Sequence, residues 1–398
     1  MTVTGNSQVR LTSNVPVGDR TTLQFITDEE STGNNLKIVG DDGVDTNYAI
    51  TALGNVDTLW LTGKGSMRMS SELLGKISNT LYVEGWQLFI ESESSITAHV
   101  VLGASVSYHH ANYDANTRNA ALSLNANTTV SSLEVQDAVR IGFTSSVNLT
   151  VTGALSGTGS LELSSKNNTQ GNLNLQNGGS IAGVLTLSNG SNLHLSGNND
   201  LTVGGLAGNS SNSQVTASGN LVINNANDTT YSGTFTLNDN VTLTKKNTGV
   251  QRLTGTNVFN GTLDVKQGTL FLGGTITWGG NGQITLHKGA ELRVNTYNDI
   301  TEDLLQHVTI QEADSSLGIT DNLANICFGA GNLDGVEFAQ REGYRYRHYS
   351  NGVNDWSTYT NVQVLHNEFE AMVGELVLSG TNKFYRFGGT SRLTITDG

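Results

Sequence analysis

The chain contains a single proline, Pro16, among its 398 residues. Proline has no backbone N–H to donate, and in β-sheets it is therefore confined to edges, first positions and bulges. A protein built from stacked central strands excludes proline from almost every position. The scarcity of proline therefore favours stacked strands over a loop-rich domain.

Cysteine and charge are scarce as well. Cys327 is the only cysteine, so no disulfide can form within the chain, and its apolar neighbours Ile326 and Phe328 indicate a buried structural thiol. Charged residues make up 14% of the sequence and leave a formal net charge of −14. Nucleic acid and anionic membranes both need a positive surface. We therefore expect no nucleic-acid partner, and the lack of a long apolar run predicts no membrane insertion by this segment.

A short corner motif recurs between residues 120 and 295. It consists of two apolar residues at alternate positions, a Gly or Asn three residues later, and then a further apolar residue. The copies are Leu122-Leu124-Asn127-Val130, Leu173-Leu175-Gly178-Ile181, Leu185-Leu187-Gly190-Leu193, Phe235-Leu237-Asn240-Leu243, Leu263-Val265-Gly268-Leu270 and Ile284-Leu286-Gly289-Leu292. Alternation indicates a half-buried strand, and Gly or Asn tolerates the positive φ of a corner. Repetition of strand and corner predicts an all-β solenoid of stacked rungs.

Composition divides the chain into three regions. Residues 1–120 are expected to be irregular N-terminal rungs or a cap, residues 121–298 the regular array, and residues 299–398 an aromatic-rich C-terminal section of atypical rungs or a cap. Helix signals are sparse, and the best are Ser70 to Leu74 and Thr301 to Leu305. Asn-rich corners predict stacked polar ladders between rungs. A stacked β-sandwich array is the structural alternative.

One longer match is more specific than the corner motif. Thr230-Tyr231-Ser232-Gly233-Thr234 recurs further along the chain as Val258-Phe259-Asn260-Gly261-Thr262. The second copy, preceded by Asn257 and followed by Gly268-Thr269-Leu270, resembles the passenger-associated repeat of bacterial autotransporters; the first copy matches with Asp228 for Asn. The resemblance implies a right-handed parallel β-helix. It also implies export to the cell surface or the medium, with the export signal and the anchor outside this segment.

Catalytic patterns are weak. A polysaccharide hydrolase needs two carboxylates flanking the scissile bond, and Asp41-Asp42 is the only adjacent aspartate pair. The pair stands in an Asp-Asp-Gly-Val-Asp sequence that is ordinary turn chemistry. We predict no catalytic residues, although a polysaccharide hydrolase or lyase on the same fold stays open, as does a phage tailspike or fibre segment.

Metal patterns are equally weak. Asp45 together with the two preceding aspartates matches no calcium-loop spacing, and His109, His110 and Asp114 lack a further ligand nearby. We expect neither a metal nor a cofactor.

The cluster that best suits binding lies near the C-terminus. It consists of Tyr344, Arg345, Tyr346, Arg347, His348, Tyr349 and Trp356. Aromatic rings stack on sugars, and arginine pairs with sulfate or carboxylate groups. The structural alternative is the core of a terminal cap, and Trp60, Trp86 and Trp278 are likewise expected in the core or at corners. The sequence predicts a secreted or surface-displayed, adhesive or scaffolding protein without enzymatic activity, which contacts host or environmental glycans or surface proteins.

Overall fold

A computed structural model gives the fold of the chain. The residues it describes are 2–3, 6–11, 21–27, 35–40, 47–62, 65–103, 121–166, 169–197, 199–287, 290–294, 304, 307–310, 316–321, 324–328, 338–339, 348–350, 353–355 and 387–388. The chain forms two compact units. The first comprises Met1–Leu221 with Ser232–Phe235, and the second Val222–Tyr231 with Thr236–Gly398.

Strands dominate both units. Up to residue 217 they are β1 (Thr2–Val3), β2 (Asn6–Leu11), β3 (Thr21–Thr27), β4 (Asn35–Gly40), β5 (Asn47–Leu53), β6 (Val56–Thr62), β7 (Gly65–Met69), β8 (Ile77–Val83), β9 (Trp86–Ile90), β10 (Ser94–Leu102), β11 (Leu122–Leu124), β12 (Thr128–Val135), β13 (Val139–Phe143), β14 (Asn148–Val151), β15 (Leu155–Gly157), β16 (Leu161–Ser165), β17 (Asn172–Leu175), β18 (Gly179–Ser188), β19 (Asn192–Leu195), β20 (Leu201–Ala207) and β21 (Gln214–Ala217). From residue 221 they are β22 (Leu221–Asn224), β23 (Thr229–Tyr231), β24 (Thr234–Leu237), β25 (Thr242–Lys246), β26 (Val250–Leu253), β27 (Thr256–Phe259), β28 (Thr262–Val265), β29 (Gly268–Leu272), β30 (Thr275–Trp278), β31 (Gln283–Leu286), β32 (Ala290–Val294), β33 (Val308–Ile310), β34 (Ser316–Asp321), β35 (Ala324–Phe328), β36 (Phe338–Ala339), β37 (His348–Ser350), β38 (Val353–Asp355) and β39 (Phe387–Gly388).

In the first part of the first unit, each strand stacks in parallel on the strand two places earlier in the chain. One stack runs β2–β4–β6–β8–β10–β12, and another runs β3–β5–β7–β9–β11–β13. Leu59 pairs with Leu81 of the next rung, and the hydrogen bond from Ser78 to Val56 between the same two strands spans 22 residues. After β12 the stacks divide and rejoin: β12 pairs with both β14 and β15, and the longer β18 pairs with both β15 and β16. The predicted parallel β-solenoid is confirmed. The proposed boundaries at residues 120 and 298 remain a prediction.

Rungs of the second unit contain three short strands. The stacks are β23–β26–β29–β32, β25–β28–β31–β33 and β27–β30. Tyr231 pairs with Leu253, and Phe259 pairs with Trp278. Tyr231 and Phe259, the aromatic residues of the two matching sequence copies, therefore lie in different stacks. The chain between them covers one full rung and one further strand. Beyond β34 the pairing becomes antiparallel, in β34–β35–β36 and in the hairpin β37–β38.

Corners have the backbone that the corner motif predicts. Positive φ angles occur at Gly178 (60°), Gly190 (82°), Asn240 (60°) and Gly268 (70°). Gly289 lies outside the described residues. Asn127 differs, because it is not among the positive-φ residues and its Oδ1 instead accepts a hydrogen bond from the backbone N–H of Asn148 at 3.0 Å. Asn thus has two uses at corners, one through its backbone and one through its side chain.

One of the two expected helices is confirmed. Helix α1 (Ser71–Leu74) buries Leu73 and Leu74 against the solenoid. Of the second expected helix, only Leu304 is among the described residues. No helix in the described part of the chain is long and apolar enough to cross a bilayer.

An asparagine ladder joins successive rungs of the first unit at the first residues of β14, β17 and β19. Asn172 Nδ2 donates to Asn148 Oδ1 at 2.8 Å, and Asn192 Nδ2 donates to Asn172 Oδ1 at 2.9 Å. A weaker rung-to-rung bond at 3.4 Å joins Asn199 to Asn177. Each amide can both donate and accept, so the ladder satisfies the polar side chains that line this edge of the strands.

Replacing Asn172 by Ala is expected to lower the free energy of unfolding by about 1–2 kcal/mol, because two side-chain hydrogen bonds are lost at once. Asn174→Ala is the matched control on the same strand, since Asn174 makes only a 3.5 Å contact with Thr150. Urea unfolding followed by circular dichroism measures both variants. Equal losses in the two variants would contradict a stabilising ladder.

A lysine occupies an inward position of the second unit. Lys245 is fully buried, and its register partner in the next rung is the apolar Val265. A lysine therefore occupies a position where the neighbouring rung has an apolar residue. Its Nζ donates to the backbone oxygens of Lys246 at 2.8 Å, of Asn247 at 2.7 Å and, one rung further, of Gln267 at 3.2 Å. Asn247 has a φ of 66°, so the carbonyl groups of this corner point into the core. The ammonium group caps them from inside.

Candidate functional site

A row of outward-facing side chains crosses the stack β4–β6–β8–β10–β12, one from each strand. In register order they are Lys37, Trp60, Tyr82, Val101 and Glu134. Neighbouring side chains of a strand point to opposite faces, and Leu59 and Leu61 on either side of Trp60 are buried. The row therefore lies on the outer surface of the first unit. We call these five residues the aromatic column.

Trp60 is the most exposed member of the column. Its relative exposure is 43%, and no other large apolar side chain of the described residues is exposed. The ring of Tyr82 meets it edge-on, with 6.4 Å between centroids and 76° between planes. Lys37 Nζ lies 5.8 Å from the ring centroid on the other side. A single exposed aromatic residue is common on protein surfaces, and here the exposed part of the indole, held between Tyr82 and Lys37, offers an ordered surface that a ligand can contact.

The expectation that Trp60 lies in the core or at a corner is wrong. Leu59 and Leu61 occupy the inward positions, so the residue between them must face outward. Trp278 is half-buried and stacks on His307 with 4.7 Å between ring centroids. The side chain of Trp86 lies outside the described residues.

Tyr82 reaches across a whole rung. Its hydroxyl donates to Oε1 of Gln136 at 3.2 Å, although the rung of Val101 lies between them. Val101 is only 5% exposed, as expected for a residue beneath this side chain. Gly103 keeps the path open, since an added Cβ would approach the Tyr82 hydroxyl to 3.3 Å and the Glu84 side chain to 3.0 Å. The phenol ring is therefore fixed over the rung of β10.

Hydrogen bonds and burial set the protonation states of Glu134 and Tyr82. Glu134 accepts from Gln136 at 2.8 Å and bonds to His99 Nε2 at 3.1 Å, while His99 Nδ1 bonds to the Ser132 hydroxyl at 2.7 Å. The bond from Gln136, followed by that from His99, lowers the pKa of Glu134. Burial, and then the nearby carboxylates of Glu84 and Glu134, raises the pKa of Tyr82. At neutral pH the site presents an ionised carboxylate beside a protonated phenol.

The protonation state of Glu134 does not suit it to act as the acid of a glycosidase. A glycosidase needs one carboxyl group with a raised pKa to act as the acid. The shift in the pKa of Glu134 has the opposite direction. An ionised carboxylate and an amide instead make a set of acceptors and donors for ligand hydroxyl groups.

A shallow groove on another face of the first unit is a weaker candidate. It has a volume of about 280 Å³ and lies beside Arg140 and Glu162 on β13 and β16. Arg140 Nη2 donates to Glu162 Oε2 at 2.8 Å, so the two charges face each other. Ligand pockets are usually larger than about 300 Å³ and bury most of the ligand. The groove therefore lacks the size and the uncommitted polar groups of a binding pocket.

The C-terminal cluster predicted from sequence falls mostly outside the described residues. Tyr344, Arg345, Tyr346, Arg347 and Trp356 are among those outside. The structure gives the backbone of His348 and Tyr349 in β37, where they pair with Asp355 and Asn354 of β38. A role for this cluster in ligand binding remains a prediction.

Predicted metal and turn residues also lie outside the described residues. These are Asp41, Asp42, Asp45, His109, His110 and Asp114. Elsewhere, within the part of the chain that is described, no three His, Cys, Asp or Glu side chains lie close enough to hold a metal ion. Cys327 lies in β35, opposite Gly318 of β34 and Ala339 of β36.

Comparison with known protein families, with curated proteins and with solved structures found no significant match. The likeness to autotransporter passengers therefore depends on the sequence motif alone. The aromatic column itself was missed at the level of sequence, although two signals could have found it. Leu59-Trp60-Leu61 and Leu81-Tyr82-Val83 each place an aromatic residue between two apolar ones. Their separation in the sequence equals the length of one rung.

Proposed function

We propose that the chain is a non-enzymatic, adhesive β-solenoid, secreted by or displayed on a bacterium, that binds glycans or surface proteins through the aromatic column. The observation that carries the proposal is the exposed ring of Trp60 beside Tyr82 on a polar outer surface. Tryptophan and tyrosine are enriched among residues that dominate binding energies. A stacked solenoid offers an extended flank for such contacts without a deep pocket.

Export is supported by the sequence around the second unit's repeat. Asn257 to Thr262 carries the order Asn, aromatic, small polar, Gly and Thr that resembles passenger domains. In the structure Asn257 and Phe259 are both buried, and Asn257 Nδ2 donates to the backbone oxygens of Gly255 and Gly273, each at 3.1 Å. The motif therefore specifies rung geometry. It is consistent with a passenger-like solenoid but does not define the binding surface.

Trp60→Ala is expected to weaken binding about 10-fold or more, because truncating a central aromatic anchor typically costs about 2 kcal/mol or more. The labelled chain is applied to an array that carries both glycans and purified extracellular-matrix proteins. Thr216→Ala is the control, at a half-buried position of β21 several rungs from the column, and is expected to bind like the wild type. Equal binding by wild type and Trp60→Ala would exclude the column. Release of reducing sugars by the wild type would favour an enzyme instead.

A further inference from the structure

We infer that the aromatic column binds a neutral oligosaccharide whose chain runs across the strands, along the direction in which the rungs stack. This inference rests on the proposed adhesive function and assigns the ligand class of the same site. Trp60 and Tyr82 belong to successive rungs and pair in register. Neighbouring strands lie about 4.8 Å apart, and the two ring centroids are separated by 6.4 Å. A ligand that touches both rings must therefore cross the strands.

The shape and chemistry of the surface favour a sugar over a protein partner. Protein hot spots lie in desolvated apolar pockets. Here Trp60 stands among half-buried threonines, Thr58 and Thr80, and no large apolar neighbour of the described residues is exposed. A pyranose ring presents one C–H face to an aromatic ring and a belt of hydroxyl groups to its surroundings. The column offers the exposed part of the Trp60 indole together with side-chain acceptors, which is the combination that a sugar needs.

Hydrogen-bonding groups stand where the hydroxyls of the second sugar would lie. Gln136 and Glu134 are joined at 2.8 Å beyond the ring of Tyr82, and Glu84 lies beside the Tyr82 hydroxyl, next to Gly103. Carboxylate oxygens accept from several donors at once, so ligand hydroxyls can bond to Glu134 without breaking its bond to Gln136. The groups are already fixed by one another, which reduces the entropy lost on binding.

The negative charges beside Tyr82 favour a neutral sugar over an anionic one. Both the Glu84 and the Glu134 carboxylates act on the Tyr82 hydroxyl, and the lowered pKa of Glu134 keeps its charge at neutral pH. A uronate, sialate or sulfate at the Tyr82 position would face these like charges in addition to the net charge of −14 on the chain. Lys37 is the one cation of the column, and it lies at the opposite end, beyond Trp60.

Calorimetric titration with cellotetraose, maltotetraose and the anionic tetragalacturonate tests the inference. We expect a neutral tetraose to bind at least 10-fold more tightly than tetragalacturonate, and at least 10-fold more tightly than its own monosaccharide. Trp60→Ala and Tyr82→Ala are expected to reduce tetraose affinity by about 10-fold or more each, and Thr216→Ala on β21 is the control. Circular dichroism and urea unfolding identify any variant that misfolds, and Tyr82→Phe, which keeps the ring, is expected to retain most of the affinity.

Glu134→Gln tests the charge argument separately, because it is expected to raise affinity for tetragalacturonate at least 3-fold without loss of folding. Tight binding of tetragalacturonate to the wild type would overturn the selection by charge. Equal affinity for monosaccharide and tetraose would overturn the path across the strands. Binding of matrix proteins but of no sugar, with loss in Trp60→Ala, would overturn the ligand class and leave the adhesive function standing. Absence of binding to either class would overturn both.

Discussion

Replacing Lys245 by Met is expected to lower the free energy of unfolding by about 3 kcal/mol. The Nζ of this buried side chain donates to the carbonyl groups of Lys246, Asn247 and Gln267. Methionine has a similar length and no donor, so the variant leaves these carbonyls unsatisfied in the core. The loss of the contact with Gln267 also removes a bond between two successive rungs.

Lys246→Met provides a closely matched control, because Lys246 is the next residue of the same strand and its side chain is exposed. Surface substitutions usually change stability by less than about 0.5 kcal/mol. Urea unfolding at pH 7, followed by circular dichroism, compares the two variants with the wild type. Similar stabilities of the two variants would show that the hydrogen bonds of Lys245 Nζ contribute nothing to the free energy of unfolding.

The same side chain predicts a pH dependence. Burial lowers the pKa of Lys245 from its ordinary value of 10.5 to about 8, against a smaller opposing effect of Asp228. Between these values the unfolded chain binds more protons than the folded chain, so the contribution of Lys245 to stability rises with pH. The difference in stability between wild type and Lys245→Met should therefore be larger at pH 9.5 than at pH 7. A smaller difference at pH 9.5 would contradict the lowered pKa.

Gly179→Ala is expected to destabilise the chain by about 4 kcal/mol, the largest effect we predict for a change of one methyl group. Gly179 has a φ of 126°, a region that is essentially restricted to glycine. An added Cβ would also overlap the carbonyl oxygen of Leu155, the residue with which Gly179 pairs in the preceding rung. Strain within the strand and a clash between strands therefore add.

Gly280→Ala is the corresponding control, because a Cβ at Gly280 would meet nothing within 4 Å. We expect it to change the stability by less than about 0.5 kcal/mol. Both variants are measured by thermal and urea unfolding, with expression in the soluble fraction as a first comparison. If Gly179→Ala were as stable as the wild type, the two neighbouring rungs could move apart without loss of stability.

Much of the fold was predictable because its determinants are local. The corner motif specifies both alternation and the residue that takes positive φ, as Gly178 and Gly268 show. The position of Lys245 was not predictable in the same way. An inward lysine contradicts the apolar pattern, and its stability depends on the carbonyl of Gln267, which belongs to the next rung.

The candidate site was predictable only in part. Alternation alone points Trp60 and Tyr82 outward, and the length of the rung brings them together. The hydrogen bond from Tyr82 to Gln136 joins β8 to the end of β12, so it spans two rungs. The two rungs differ in length, because the second one includes the residues between β10 and β11. Such a contact requires the register of the strands, which the sequence does not state.

Stacking in register also has a consequence for the rate of folding. Along β14–β17–β19, the asparagine bonds that join one strand to the next span 24 and 20 residues. The sequence separation of stacking contacts thus stays nearly constant as rungs are added, and relative contact order falls with length. The step from β10 to β12 is longer, since the bond from Ser131 to Thr97 spans 34 residues. Loop-closure entropy grows only logarithmically, so relative to an ordinary rung the extra length costs about 0.4 kcal/mol. The chain can therefore vary in length between β10 and β12 with little effect on how quickly the next rung closes.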